Sequence, residues 1–213
     1  MARQKKVGEK KIKVADAITR LNSLDFKIFG KPGINKGSRG QMIERALGLN
    51  LNGDLLDFED GELKTFTLGE TIFVTQLHHC LAEIIEDKVD FVNSKLGKKL
   101  QKTIFVGFDR IGNFKNSYIV DNGIQIDHFK KLEVDFQDLS NKIRDAFEDK
   151  RTLSTKADNL NGPNMLLQIR TKDSKRKNGE YNPLIYKGHQ FREKYMAFYL
   201  RADFGKIICG LTE

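Results

Sequence analysis

The residues best suited to chemistry are two carboxylates and a lysine within eight positions, Asp57, Glu62 and Lys64. If a strand begins at Glu62, its side chains alternate between faces, so Glu62 and Lys64 share one face while Leu63 points into a core. The intervening Asp-Gly pair predicts a turn that brings Asp57 back beside Glu62. Two carboxylates and an ammonium around one point can hold a divalent cation and orient a water molecule.

The Glu-x-Lys pattern alone is weak evidence, because it recurs at Glu86-Asp87-Lys88 and Glu148-Asp149-Lys150. Both of those copies lie in stretches with helical periodicity, where residues two apart point to different sides. Of the three copies, the one at Glu62 has an apolar middle residue, a strand context and an upstream Asp. An ordinary surface hairpin remains the alternative on spacing alone.

A glycine-rich loop and a helix precede this segment. The loop, residues 30–40, carries Lys36 among four glycines, and glycines let a backbone approach a phosphate closely. It lacks the Gly-Lys-Ser/Thr ending of a P-loop, and a flexible connector explains it equally well. Ser38 is expected to cap a helix that ends at Gly48. Glu44 on that helix either turns inward toward the carboxylates or faces solvent.

Two adjacent histidines and a cysteine, His78-His79-Cys80, have the residue types of a metal site. Adjacent side chains diverge, and no second Cys or His cluster exists to complete a tetrahedral site. We therefore expect a strand-to-helix junction there.

Hydrophobic periodicity predicts a mixture of helices and strands. The expected helices cover residues 14–26, 38–48, 81–92, 136–147 and 202–211. The expected strands cover residues 62–66, 71–75, 102–106, 165–170 and 197–201, and a hairpin joins residues 118–120 to 124–126 around Asp121-Asn122-Gly123. This order predicts one α/β or α+β domain over residues 14–213, after a mobile basic tail or phosphate-contacting arm at residues 1–13.

Composition favours a polyanionic partner. The 213 residues carry a net charge of +8, which suits nucleic acid. The chain has no tryptophan, no basic amphipathic helix with aromatic anchors and no apolar run that approaches about 20 residues. We therefore expect no membrane partner. Two cysteines form no disulfide framework, so a reducing cytoplasm is expected.

Four ordered segments together resemble the MutH-like DNA endonucleases, a family that contains a mismatch-repair nickase and Sau-type restriction enzymes that read GATC. The segments are Lys36-Gly37-Ser38-Arg39-Gly40-Gln41-Met42-Ile43-Glu44, Asp57-Phe58 with Glu62-Leu63-Lys64-Thr65, Leu167-Gln168-Ile169-Arg170-Thr171-Lys172, and Phe198-Tyr199-Leu200-Arg201 with Phe204.

The resemblance implies a restriction-endonuclease-like fold, with a mixed central sheet flanked by helices and two lobes around a DNA cleft. The catalytic lobe would cover about residues 30–130 and the DNA-reading lobe about residues 131–213. It implies Mg²⁺-dependent hydrolysis of double-stranded DNA.

The resemblance also implies roles for individual residues. Asp57 and Glu62 would bind the metal, and Lys64 would be the catalytic lysine. Glu44 and Lys99 would also belong to the active site, with Lys95 as the alternative to Lys99. The residues that would contact DNA are Lys36, Arg170, Lys172 and Tyr199. Only four residues separate Asp57 from Glu62, about two fewer than in the relatives, so Asp54 is an alternative first ligand.

The first functional expectation is a type II restriction endonuclease that cuts a short palindromic site, with GATC suggested by the relatives. Cutting both strands would need two chains on DNA or two successive nicks. The alternative is a mismatch-repair endonuclease that nicks the unmethylated strand of GATC with a MutL-like partner. A third hypothesis is a non-catalytic DNA-binding module.

Overall fold

The computed structural model describes residues 11–29, 37–49, 54–121, 126–153, 160–172, 176 and 178–210. They form an α+β fold in which helices and strands alternate irregularly. In chain order the elements are α1 (Val14–Asn22), α2 (Ser38–Ala46), β1 (Glu62–Thr67), β2 (Ile72–Gln76), α3 (Leu81–Ile85), α4 (Lys95–Gln101), β3 (Lys102–Phe108), β4 (Phe114–Asp121), α5 (Ile126–Glu148), β5 (Leu167–Thr171), β6 (Leu184–Tyr186), β7 (His189–Arg192), β8 (Met196–Leu200) and α6 (Ala202–Ile208).

The first sheet is mixed and separates two apolar clusters. Its order is β1-β3-β4, with β1 parallel to β3 and β4 antiparallel to β3. Because side chains alternate along a strand, each face buries a different set. One face carries Leu63, Ile104, Val106 and Phe108, which pack with the buried residues of α1 and α2; the other carries Phe66, Phe105 and Val120, which belong to the larger cluster.

The second sheet is antiparallel, in the order β2-β8-β5, and β6 and β7 form a separate hairpin. The expected single central sheet is therefore divided, among the described residues, into three. Helix α5 covers the second sheet with a fully buried stripe, and the rings of Phe136 and Phe198 lie 6.0 Å apart. As the periodicity predicted, that stripe contains Phe136, Leu139, Ile143 and Ala146.

A buried carboxylate on α5 fixes the start of β5. Asp135 is fully buried and accepts backbone N–H bonds from Asn164 at 2.6 Å and from Leu166 and Leu167 at 2.9 Å each. A Cβ on Gly162 would lie 2.3 Å from the Asp135 side chain, so only glycine allows this approach. The contact sets the position of the strand that carries Arg170.

Two predictions about helices were wrong. Helix α3 ends at Ile85, and Lys88 has a left-handed backbone with φ +49°, which excludes a continuous helix through residues 81–92. A new helix, α4, begins after Ser94, whose Oγ accepts the N–H of Gly97. Ser38 also does not cap α2: it is the first helical residue, and Gly37 occupies the cap without a side-chain bond.

The hairpin predicted for residues 118–126 was wrong as well. Strand β4 pairs with the preceding β3, across a turn closed by the Asp109 N–H to Asn113 carbonyl bond. Ile126 begins α5 instead of continuing a strand, and residues 122–125 lie outside the described residues. The local Asn-Gly turn signal could not reveal that β4 already had a partner.

Candidate active site

Glu62, the first residue of β1, is a buried carboxylate shared by two lysines. Its side chain is 2% exposed, and Oε1 accepts hydrogen bonds from Nζ of Lys64 and, at 2.8 Å, from Nζ of Lys99. Lys64 comes from the same face of β1, two positions on, and Lys99 comes from α4. The other oxygen, Oε2, is buried and has no hydrogen-bond partner among the described residues. A buried acceptor without a partner marks a place where a ligand or water is needed.

Asp57 lies beside Glu62 because the turn before β1 folds back as predicted. The N–H of Phe58 bonds to the carbonyl of Gly61 at 2.9 Å, and Asp57 Oδ2 accepts the N–H of Leu63 at 2.9 Å. Burial raises the pKa of Asp57, and the charge of Glu62 raises it further against the opposing effect of Lys64. The position next to Glu62 is observed; the role of metal ligand stays a prediction.

The alternative ligand, Asp54, points to a different partner. Its Oδ2 forms an ion pair with Lys11 Nζ at 2.9 Å, and its side chain is 50% exposed. Because the Asp54 carboxylate is exposed and already paired with a lysine, it is less suited to bind a metal than the half-buried carboxylate of Asp57. The geometry therefore favours Asp57 over Asp54.

Glu44 faces the same site from α2. The helix packs closely on β1, since a Cβ on Gly40 would lie 3.3 Å from Thr65 Oγ1. Glu44 is half-buried, and its pKa is raised by burial and then by the charge of Asp57, while Lys64 opposes the shift. Of the two interpretations of Glu44, the inward one agrees with the structure.

The two candidate lysines of α4, Lys95 and Lys99, are distinguished by their contacts. Lys99 Nζ bonds to Glu62 and to the carbonyl of Leu55, whereas Lys95 Nζ donates to the carbonyl of His79 at 2.6 Å. Lys99 is thus the lysine of this site. The bonded core of the site is thus Glu62 with Lys64 and Lys99; Asp57 and Glu44 lie near enough to feel their charges.

The three described residues predicted to contact DNA lie together on the open face of the second sheet. Arg170 donates to Thr71 Oγ1 at 3.1 Å, and its guanidinium lies 5.9 Å from the ring centroid of Tyr199. Lys172 Nζ lies 3.1 Å from the ring centroid of Phe73. The rings of Phe73 and Tyr199 lie 5.7 Å apart at 70°. The result is a surface of alternating cations and aromatic rings.

Phe73 is a member of this surface that no sequence pattern indicated. In β2 its neighbours Ile72 and Val74 are buried, so strand alternation places Phe73 on the opposite, open face. Lys172 lies near enough to Lys64 to feel its charge: burial lowers the pKa of Lys172, and the charge of Lys64 lowers it further. The other predicted DNA contact, Lys36, lies outside the described residues.

The histidine pair forms a junction, as expected. His78 and His79 lie in a short 3₁₀ turn, Leu77–His79, between β2 and α3, and the His78 ring stacks on Tyr195 with 5.2 Å between centroids. Cys80 is fully buried, and burial raises the pKa of its thiol. This packing is that of a structural turn.

A metal ion would have to rely on few protein ligands. Within the described ranges, no three His, Cys, Asp or Glu side chains converge closely enough to hold a metal by themselves. Mg²⁺ often takes only one or two carboxylates and completes its shell with water and substrate phosphate. Asp57 and Glu62 could supply such a pair, and the unpaired Oε2 of Glu62 supplies a free donor atom.

No protein-family model matches the chain, and no curated protein matches it significantly. None of the helices in the described part of the chain is long and apolar enough to cross a bilayer.

Proposed function

We propose that this protein is an Mg²⁺-dependent endonuclease of the MutH-like type that hydrolyses double-stranded DNA at a short palindromic site, as a type II restriction enzyme does. The proposal includes a restriction-endonuclease-like arrangement in which the Glu62 site and the cation–aromatic surface border one DNA cleft. The observation that carries it is Glu62 itself: a buried carboxylate bonded to two lysines, beside a second carboxylate, with one oxygen unpaired.

The donor set fits a hard divalent cation. Asp57 and Glu62 offer carboxylate oxygens, which Mg²⁺ prefers; burial and the Glu62 charge raise the pKa of Asp57, although Lys64 and Lys99 oppose the shift. Mg²⁺ at this position would lower the pKa of a water molecule and neutralise charge on the scissile phosphate.

The residues of the chain contribute the remaining steps. Lys64 Nζ lies against Glu62, where its ammonium group can orient the attacking water. Lys99 holds both Glu62 Oε1 and the carbonyl of Leu55, so it fixes the carboxylate relative to the turn that carries Asp57. Both ammonium groups stabilise the negative charge that grows on the phosphate.

The cation–aromatic surface suits DNA. Arg170 is exposed and can reach a guanine edge, where a bidentate contact contributes roughly 1–3 kcal/mol of discrimination. Loss of a base contact relaxes sequence specificity, whereas loss of a phosphate contact weakens all sites alike and flattens the salt dependence of binding. Comparing Arg170→Ala with wild type on matched and mismatched duplexes over a salt series distinguishes the two roles.

The decisive experiment is incubation of the purified protein with plasmid and Mg²⁺, with EDTA as the control, followed by mapping of the cut ends. We expect Mg²⁺-dependent cleavage that falls by about 10²–10³-fold in Lys64→Ala, the size of effect seen when one transition-state donor is removed. DNA binding should persist in that variant. Glu148→Gln and Lys150→Ala are matched controls, because they alter the same Glu-x-Lys pattern at the end of α5.

The same experiment separates the competing functions. Near wild-type cleavage by Lys64→Ala or Glu62→Gln would remove these residues from the active site. Binding without cleavage at any Mg²⁺ concentration would favour a non-catalytic DNA-binding module.

A mismatch-repair nickase is the second candidate, because the described residues supply one Glu62 site per chain, enough to cut one strand at a time. Nicked circles whose yield rises with a MutL-like protein would favour it. Linear product without a partner would favour restriction, by a homodimer or by successive nicks.

A further inference from the structure

The segment just before α1 lies against the turn that carries Asp57. We call residues 11–14 the N-terminal strap and residues 54–61 the acidic turn. Lys11 Nζ bonds to the carbonyl of Leu56 and pairs with Asp54 Oδ2 at 2.9 Å. The carbonyl of Ile12 accepts the N–H of Glu59 at 2.9 Å. The N–H of Val14 bonds to Asp60 Oδ1 at 2.8 Å, so strap and turn are joined along their whole length.

The opposite side of the acidic turn is held by α4 and β3. Lys99 bonds to the carbonyl of Leu55, and Lys102 Nζ pairs with Asp60 Oδ2 at 2.6 Å. The space between is nearly closed at Gly61, where a Cβ would lie 2.6 Å from Val14 Cγ2 and 2.7 Å from the carbonyl oxygen of Lys102. The acidic turn is therefore clamped between the strap and the start of β3.

The acidic turn has little structure of its own. It belongs to no helix or strand, and its described internal support is the Phe58 N–H to Gly61 carbonyl bond. Asp57 and Glu62 sit on either side of that bond. Asp57 is also tied to β1 through the N–H of Leu63, and Phe58 is buried in the core, so contacts from outside the turn fix what freedom remains between the two carboxylates. Displacements of about 1 Å in such positions change rates by as much as 10²-fold.

We propose that the N-terminal strap, through Lys11, positions the acidic turn so that Asp57 and Glu62 can bind one cation together. Lys11 is then a positioning residue of the metal site, which is a different role from that of a mobile tail or a phosphate-contacting arm. The inference rests on the proposed function in so far as it concerns the cation; the clamping of the turn stands on the contacts alone.

Lys13 provides a matched control. It carries the same charge two residues from Lys11 and is exposed, and its described contacts include none to the acidic turn. A general electrostatic effect on DNA would weaken Lys11→Ala and Lys13→Ala alike. A positioning role affects Lys11→Ala only and is largely rescued in Lys11→Arg, which restores a cation that can reach the same acceptors.

The test combines three measurements on the full-length wild type and the variants Lys11→Ala, Lys11→Arg and Lys13→Ala. Amide hydrogen–deuterium exchange reports on the turn through the N–H groups of Glu59 and Leu63. Calorimetry without DNA reports Mg²⁺ affinity, and plasmid cleavage over a range of Mg²⁺ concentrations reports activity. For Lys11→Ala we expect roughly five- to tenfold faster exchange at these two amides and an Mg²⁺ affinity weaker by a similar factor, the size expected for loss of one typical hydrogen bond. Cleavage by this variant should recover at high Mg²⁺.

Two results would overturn the inference. One is equal behaviour of Lys11→Ala and Lys13→Ala in exchange and Mg²⁺ affinity; the other is weaker DNA binding by Lys11→Ala with an unchanged Mg²⁺ dependence. If wild type neither binds Mg²⁺ nor cleaves DNA, the proposed function fails, and the exchange rates still decide whether Lys11 holds the turn.

Discussion

Sharing of Glu62 by two lysines predicts that their contributions to stability are not additive. In Lys64→Met or Lys99→Met the carboxylate keeps one ammonium partner, so each single change should lower the free energy of unfolding by only about 1 kcal/mol. In the double variant Glu62, 2% exposed, has neither lysine, and a buried charge without a partner costs about 3–5 kcal/mol. The double variant should therefore lose about 2 kcal/mol more than the sum of the singles.

Urea unfolding at neutral pH in EDTA measures this coupling, and thermal unfolding gives a second readout. For a chain of this size each 1 kcal/mol shifts the melting temperature by about 2–4 °C, so the double variant should melt roughly 10 °C lower. Lys95→Met, which removes the neighbouring lysine that bonds to the carbonyl of His79 instead, is the matched control. Mg²⁺ should stabilise the double variant more than wild type, because the cation replaces the missing positive charge.

Additive losses, with a coupling below about 0.5 kcal/mol, would refute the reasoning, since residues that share no partner behave in that way. If Mg²⁺ stabilised wild type and the double variant equally, the sharing of Glu62 by two lysines would still hold, but the metal would bind elsewhere.

Three further predictions concern separate parts of the molecule. Asp135→Asn should lower the free energy of unfolding by about 3 kcal/mol, measured by urea titration, because three N–H bonds lose their charged acceptor. His78 stacks on Tyr195, and burial lowers its pKa. The stability contributed by the neutral imidazole is therefore present above about pH 6.5 and is lost as the pH falls below that value. The melting temperature of His78→Phe should accordingly depend less on pH than that of wild type from about pH 7 to 5. The pKa values of Asp57 and Glu44 are raised, so these groups stabilise the metal-free protein at low pH and lose that contribution as the pH rises. Calorimetry should show that Mg²⁺ affinity increases over the same rise in pH and that binding releases protons.

The centre of the candidate site was accessible from sequence because its geometry is local. Strand periodicity places Glu62 and Lys64 on one face, and the Asp-Gly turn signal returns Asp57 to the first residues of β1. Each of these inferences needs only a few consecutive residues and the fixed period of a strand. The α+β class followed in the same way from the alternation of helical and strand periods.

The remaining parts depend on contacts between distant segments. Lys99 was preferred over Lys95 only through the family resemblance; the bond of Lys99 to Glu62 spans 37 positions and follows a break after α3, where Lys88 adopts a left-handed backbone that periodicity does not report. Lys11 looked like one more lysine of a basic tail, because its bonding to the acidic turn spans more than forty positions. Phe73 became significant only when β2 paired with β8 and placed its ring against Tyr199.

The central position of β8 has a consequence for the order of folding. Strands β1, β3 and β4 and their helices precede α5 in the chain, so the sheet that carries Glu62 can form early during synthesis. The second sheet cannot, because β8 lies between β2 and β5 although it follows both in the chain. Until β8 has left the ribosome, β2 has no partner and the surface of Arg170, Phe73 and Tyr199 does not exist. A nascent chain would thus carry its carboxylates before the surface that we propose binds DNA had formed.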